Sequence, residues 1–407
     1  MISVQEAEAI VFQHTFLSDT GRRTPFGEGV SLMASLGRIL AEDIVADRDF
    51  PPFDRVTMDG IAIRFADFED GNRQFKIAGI QAAGYPQLPF GGGGTCMEVM
   101  TGAILPDGYD TVVRYEDLKM EESEATIDME NISFQQNLHK KGVDRKQNDI
   151  IVKKGVKIMA AEIATAATVG LPIIQVVRLP KVAIISTGDE LVNVHETPLL
   201  HQIRRSNAYA LAALLESEFK IRSQLFHFND DENIITDGLE KILAEYEVVI
   251  LSGAVSEGKY DFVPKALADL GVKKLFHKVA QRPGKPFWFG THPAGRVVFA
   301  LPGNPVSTFL CACRYVMPFF RKNLGLIETG FEKAVLSEKI VFKPDLTYFI
   351  PVKLHYTEGG VLEAFPLAGQ GSGDLANLND ADGFLELPQG REVFEKGEVF
   401  SLIRYRK

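Results

Sequence analysis

Scarcity sorts the possibilities for this chain first. Three cysteines in 407 residues, Cys96, Cys311 and Cys313, stand at no metal-ligand spacing and are too few for a disulfide framework. Cys311 and Cys313 fall in an apolar helical stretch, where small buried thiols are expected. The eight histidines are scattered, with no i, i+4 pair to grip a metal from one helix face. Positive charge is also short: 44 Lys and Arg face 54 Asp and Glu, a net of −10. That balance argues against a broad nucleic-acid or anionic-membrane surface. Long apolar runs are missing too. The longest, Ala160 to Val177, is broken by Glu162, Gly170, Pro172 and Gln175, so no membrane span is expected. Met1 to Phe16 carries Glu6 and Glu8 without a leading basic cluster, so no secretory signal is expected and a reducing cytoplasm fits best.

What the chain does have is a set of three strand-to-helix turns between Lys181 and Arg314. They read Ile184-Ile185-Ser186-Thr187-Gly188-Asp189-Glu190, Val249-Ile250-Leu251-Ser252-Gly253-Ala254 and Phe299-Ala300-Leu301-Pro302-Gly303-Asn304-Pro305. In each, a β-branched apolar run stops at small or turn-forming residues. This is the grammar of an open, mostly parallel α/β sheet, whose ligands sit at the carboxyl ends of strands. Ser186, Gly188, Ser252, Gly253, Pro302 and Gly303 are therefore candidate contacts to a phosphate-like anion.

A chain of this length needs several cores. The N-terminal and linker part is expected at 1–49 and 144–180, with a helix over Ser3–Leu17 and an Ala-rich helix over Ala160–Gly170. A Gly- and Pro-rich stretch with short β-like runs, 50–143, reads as an inserted β-rich module. Its four successive glycines, Gly91 to Gly94, read as a hairpin loop and not a phosphate cradle. The α/β domain is expected over 181–326. Its strands are Lys181–Ser186, Ile221–Phe228 and Val248–Leu251, and its helices Ala208–Glu218, Asn233–Tyr246 and Val306–Asn323. A hairpin links Pro286–Phe289 to Arg296–Phe299. Short strands over 327–407 suggest a small C-terminal β-barrel or sandwich. The fold class is thus multidomain α/β plus β, with a central doubly wound domain.

Carboxylates stand beside the turns. Glu190 follows the first strand, Asp230 the second, and Asp261 lies in the Gly/Ser-rich loop after the third. A magnesium ion, bound through one or two carboxylates plus ligand oxygens, would offset their charge. Asp189 reads equally well as a helix-end acid. Lys278, Arg282 and Lys285 surround a Pro283-Gly284 turn and present cations toward an anion, or merely toward solvent. Outside the α/β part, Asp54, Asp59 and Thr101 are either turn residues or site residues. Ser372 lies in a Gly/Ser-dense loop that is a candidate anion contact.

Seven segments together resemble the molybdopterin molybdenumtransferase family, bacterial relatives of the gephyrin E domain. They are PPFDRVTMDGIAI (51–63), MTGAILPDGYDTVVRYED (100–117), KVAIISTGDELV (181–192), SGAVSEGKYDF (252–262), RPGKPFWFG (282–290), LPGNPVSTF (301–309) and GQGSGDL (369–375). The resemblance implies an elongated homodimer with a molybdopterin-binding α/β domain and a site shared between subunits. It implies a transferase that inserts molybdenum from molybdate into adenylyl-molybdopterin with magnesium, releasing AMP, and contact with the molybdopterin adenylyltransferase. By motif position it implies roles for Asp59, Thr101, Glu190, Asp230, Asp261, Lys278, Arg282 and Ser372. Magnesium would fall to Glu190, Asp230 and Asp261. Arg282 stands where the family commonly has lysine, and Ala254 where it commonly has glycine.

Overall fold

The computed structural model describes residues 1–16, 27–253, 262–327, 332–367, 371 and 373–406. They fold as two compact units. One comprises Met1–Glu42, Lys154–Ile163 and Ile173–Lys407; the other comprises Asp43–Lys153 and Ala164–Pro172.

The larger unit is organised by a six-stranded sheet. Its strands run in the order Gln224–Phe228, Val182–Thr187, Val248–Ser252, Arg296–Leu301, Trp288–His292 and Lys273–His277. The first four are mutually parallel; the last two pairings are antiparallel. Period-two alternation sends residues to opposite faces. Ile184, Ile250 and Phe299 join one apolar cluster with Leu211 and Leu215 of the Asn207–Phe219 helix. Ile185, Val249 and Val298 join another with Ile235 and Leu239 of the Glu232–Glu245 helix. Burial on both faces explains why these strands read as continuous apolar runs. The domain is doubly wound as expected.

Details differ from the sequence reading. The second strand starts at Gln224, not Ile221, because Lys220 ends the preceding helix in a left-handed conformation, φ 63°. The edge strand Lys273–His277 and the Val263–Asp269 helix carry too short a pattern to read from sequence. The expected Val306–Asn323 helix is divided into Pro305–Cys311 and Met317–Asn323 by a π-helical turn at Ala312–Val316. Pro318 has no N–H to donate to the carbonyl one turn back, which makes that local rearrangement cheap.

The N-terminal helix, Val4–Gln13, is shorter than its expected span. Ser3 caps it: the Glu6 N–H donates to Ser3 Oγ at 3.1 Å and the Ser3 N–H donates to Glu6 Oε2 at 2.7 Å. Its Val4, Ala7 and Val11 enter the same core as Ile184. At the other end of the chain, Thr347–Tyr356, Leu362–Pro366, Lys333–Leu336, Val399–Arg404 and Gly383–Leu387 close into a five-stranded barrel. Thr347–Tyr356 is longer than the short strands expected. Its first half pairs with Gly383–Leu387 and its second with Leu362–Pro366. Arg314, buried in the π-helical turn, ties three parts together. Its guanidinium donates to both oxygens of Glu8 at 2.8 and 3.1 Å and to Glu386 of the barrel at 3.0 Å.

The smaller unit is built on another six-stranded sheet. Its order is Thr111–Arg114, Gly60–Ile63, Thr95–Val99, Gln74–Gln81, Glu124–Ile127 and Leu118–Met120. The Gly91–Gly94 run is not a hairpin loop, because the strands on either side of it, Gln74–Gln81 and Thr95–Val99, pair in parallel. Parallel partners need a crossover, and the loop supplies it. All three cysteines are buried and free, and burial pushes the Cys96 and Cys313 thiols up to about 12. No helix among the described residues is long and apolar enough to cross a membrane.

Removing one partner of a buried ion cluster strands the others, at a cost of about 3–5 kcal/mol. Arg314→Ala is expected to lower the urea unfolding free energy by that amount. A loss below about 1 kcal/mol would mean Glu8 and Glu386 find water in its place.

Candidate functional site

The parallel strands fix where chemistry can occur. Thr187 registers with Phe228, and Ser186 with Ser252, which registers with Leu301. The residues after each strand, Gly188 to Glu190, Asn229 and Asp230, Gly253, and Pro302 to Asn304, therefore emerge along one edge of the sheet. The helices that follow the neighbouring Val182–Thr187 and Val248–Ser252 strands, Asn207–Phe219 and Val263–Asp269, pack on opposite faces, so a crevice opens between those two strands. Gly253 lines its floor at φ +99°, and a Cβ there would lie 3.3 Å from the Thr187 carbonyl oxygen. Gly303 packs beside it, where a Cβ would lie in ordinary contact, 3.7 Å from the Gly253 Cα. Ser186, Thr187 and Ser252 are buried at this edge. The Thr187 hydroxyl is 5% exposed as a residue and has no hydrogen-bond partner among the described residues.

Three acids gather on the first two turns. The Glu190 carboxylate folds back over Gly188, where a Cβ would meet its Oε2 at 2.5 Å. The Asp230 N–H donates to Asp189 Oδ1 at 3.2 Å. Burial, then the charges of Asp189 and Glu190, push the Asp230 carboxyl above its ordinary range. Asp189 is thus more than a helix-end acid, since it holds the Asp230 turn. Among the described residues no three His, Cys, Asp or Glu side chains are placed to hold a metal by themselves.

The cations lie along the same edge but far across it. Lys273–His277 runs antiparallel to Trp288–His292, which runs antiparallel to Arg296–Leu301. Lys278 therefore follows a strand end on the carboxyl side of the sheet. Four strand spacings separate the Glu190 strand from the Lys278 strand, roughly 19 Å. A single small ion cannot touch both groups; an extended ligand can. Lys278 itself sits at φ 75°, its carbonyl accepting from Ile2 N–H at 3.2 Å and its N–H donating to Phe287 O at 3.0 Å. Arg282 is exposed, pairs with Tyr348 of the barrel in parallel register, and lies 5.9 Å from the Phe342 ring. Lys285 is exposed and its carbonyl accepts from Val279 and Phe287.

Asp59 and Thr101 meet within the smaller unit. The Thr101 N–H donates to Asp59 Oδ1 at 2.6 Å, and this bond holds the Asp59 carboxyl below its usual value. Asp54 instead closes a turn, accepting from the Lys141 N–H at 2.8 Å and Lys140 Nζ at 3.0 Å. Asp261 and Ser372 lie outside the described residues, as does Ala254.

Sequence reasoning missed two organisers. Asn207 Nδ2 reaches Ser252 Oγ at 2.8 Å, Gly303 O at 2.8 Å and Thr308 Oγ1 at 3.3 Å, joining two of the turns. Its only signal was an asparagine placed inside a helix start. Gln281 is fully buried and donates to the carbonyls of Pro283 and Gly284 at 3.2 Å each, shaping the turn between Arg282 and Lys285. Its acceptor oxygen takes the Tyr315 hydroxyl. Nothing in its local pattern singled it out.

Family models match three consecutive stretches of the chain. The MoeA N-terminal region (domain I and II) matches residues 2–170, the probable molybdopterin binding domain 183–322, and the MoeA C-terminal region (domain IV) 333–405. The chain is 39% identical to the molybdopterin molybdenumtransferase of Synechocystis, over 98% of this chain and 99% of that one. The chain belongs to the molybdopterin molybdenumtransferase family. The Nostoc molybdopterin molybdenumtransferase is 32% identical over 98% of this chain and 92% of its own. Two crystal structures of the molybdopterin biosynthesis MoeA protein of Pyrococcus horikoshii superpose with a TM-score of 0.82, at 30% and 28% identity, covering 99% or more of both chains. The crevice between the Val182–Thr187 and Val248–Ser252 strands lies in the stretch matched by the molybdopterin-binding model.

Two outcomes follow from this geometry. The raised Asp230 value means the fold favours the neutral acid, so its stabilising contribution is present below the ordinary aspartate value of 3.8 and is lost as pH rises through the folded value. Asp230→Asn is expected to raise the urea midpoint near pH 7.5, with the gain fading below about pH 4. An equal gain at both pH values contradicts the electrostatic origin. Gly253→Ala is expected to cost about 1–2 kcal/mol of stability through its left-handed backbone, measured by thermal melting.

Proposed function

We propose that the chain inserts molybdate-derived molybdenum into adenylyl-molybdopterin, hydrolysing the pterin–adenylyl phosphoanhydride and releasing AMP. Family membership supports the reaction class. The observation that carries the finer reading is the sheet edge, with clustered acids at one end, cations at the other, and a Gly/Ser/Thr-lined crevice between. A pterin nucleotide is long enough to use both ends, and molybdate is a dianion that needs Lys278 or Arg282.

Magnesium fits the acids. Glu190 and Asp230 offer oxygen ligands, and a hard divalent cation would relieve the repulsion that raises the Asp230 carboxyl; Asp261, outside the described residues, is proposed as a third ligand. When bound, the ion would withdraw charge from the phosphate oxygens. The residues do the rest. Lys278 and Arg282 hold phosphate or molybdate, Lys285 and the turn residues Ser186, Gly188, Ser252, Gly253, Pro302 and Gly303 seat the nucleotide, and Ser372 contacts an anion. Asp59 and Thr101, fixed to each other, act on the scissile bond with Glu190, Asp230 and Asp261. The protein works as a cytoplasmic homodimer with a site shared between subunits, and receives its substrate from the molybdopterin adenylyltransferase. Its parts are 1–49 with 144–180, 50–143, 181–326 and 327–407.

The decisive assay is AMP release from adenylyl-molybdopterin by the purified full chain. Release is expected to depend on molybdate and magnesium, and Glu190→Gln is expected to slow it about a hundredfold. No AMP from folded protein with both ions present overturns the proposal. ATP-dependent adenylylation of molybdopterin would assign the preceding step instead.

A further inference from the structure

Hydrogen-bond bookkeeping at Asn207 settles which way a neighbouring hydroxyl faces. Gly303 O, 2.8 Å from the Asn207 amide, is a carbonyl and can only accept. The group facing it must be the amide nitrogen, so the side chain cannot be turned over. That nitrogen has two hydrogens. One goes to Gly303 O, and the other to Ser252 Oγ at 2.8 Å, with Thr308 Oγ1 more distant at 3.3 Å. Thr308 already gives its own hydrogen to the carbonyl of Pro302 or Asn304. Ser252 is 4% exposed and acts as an acceptor toward Asn207. Its hydroxyl hydrogen is therefore directed away from Asn207. One register step further on, on the opposite face of the sheet, the Thr187 hydroxyl is buried without a partner and lies 3.5 Å from where a Gly253 Cβ would stand.

We infer that Asn207 is a positioning residue that makes the Ser252 hydroxyl a donor toward the crevice, selecting a ligand that presents a phosphate oxygen there. Asn207 touches no ligand itself. It acts by occupying a Ser252 lone pair, which leaves the O–H to complete its bonding with a bound acceptor. This inference rests on the pterin-nucleotide reading given above, and it adds to that reading the polarity of the subsite and the residue that imposes it.

Asn207→Asp nearly preserves shape but replaces the donor with an acceptor, which would draw the Ser252 hydrogen toward itself. The test is a double-mutant cycle with Ser252→Ala, measuring Kd for adenylyl-molybdopterin and kcat at saturation. In the otherwise native protein, Asn207→Asp is expected to raise Kd about tenfold or more, with kcat within about twofold. In Ser252→Ala, the same change is expected to cost at most about threefold. Equal losses in both backgrounds, or an unchanged Kd, overturn the inference, because a purely structural Asn207 would act regardless of Ser252. If Asn207→Asp fails to melt cooperatively, Asn207→Ala in the same two backgrounds is judged by the same inequality. A native chain that binds neither molybdopterin nor its adenylylated form removes the functional reading itself. Binding with an uncoupled pair removes only the role of Asn207.

Discussion

Burying both faces of one sheet is the constraint from which the rest of the larger unit follows. Alternate residues of each parallel strand feed two separate cores, Ile184 with Ile250 and Phe299 on one side and Ile185 with Val249 and Val298 on the other. A strand used on both faces has no side chains left for chemistry along its length. Polar groups are consequently pushed to the strand ends, where chain direction gathers them at one edge. The Thr187, Ser252 and Gly253 floor and the Glu190 and Asp230 rim are consequences of that packing.

The same edge separates charge by strand order. Acids occupy the turns after two adjacent strands, and like charge raises the Asp230 carboxyl. Lys278 stands at the opposite end and Arg282 joins the barrel sheet. Such a layout suits a long substrate with distinct anionic groups better than a compact one.

Polar side chains set back from the rim organise these ends. Asn207 links the third and fourth strand turns, Gln281 shapes the turn that carries Arg282, and Arg314 binds the N-terminal helix and the barrel through Glu8 and Glu386. Each works by satisfying groups that would otherwise be buried without partners. None of them stands in a local pattern that distinguishes it from ordinary helix or turn residues. The acids were legible because each follows a strand and neighbours a turn residue, a one-dimensional signal. The Gly91–Gly94 run misled for the converse reason: a turn-rich loop looks alike whether its flanking strands pair parallel or antiparallel.

Local chemistry in the chain was enough to determine the doubly wound core, the first helix, the Gly/Ser/Thr strand ends and the family whose motifs it carries. These depend on apolar period, turn residues and short spacing, all written within a few neighbouring positions. Only the folded structure decided that Lys278 lies four strands from Glu190, that Asp230 is held by Asp189, and that Asn207 faces Ser252. Strand order and cross-chain hydrogen bonds join residues tens of positions apart, and no local pattern encodes which of many such partners will meet.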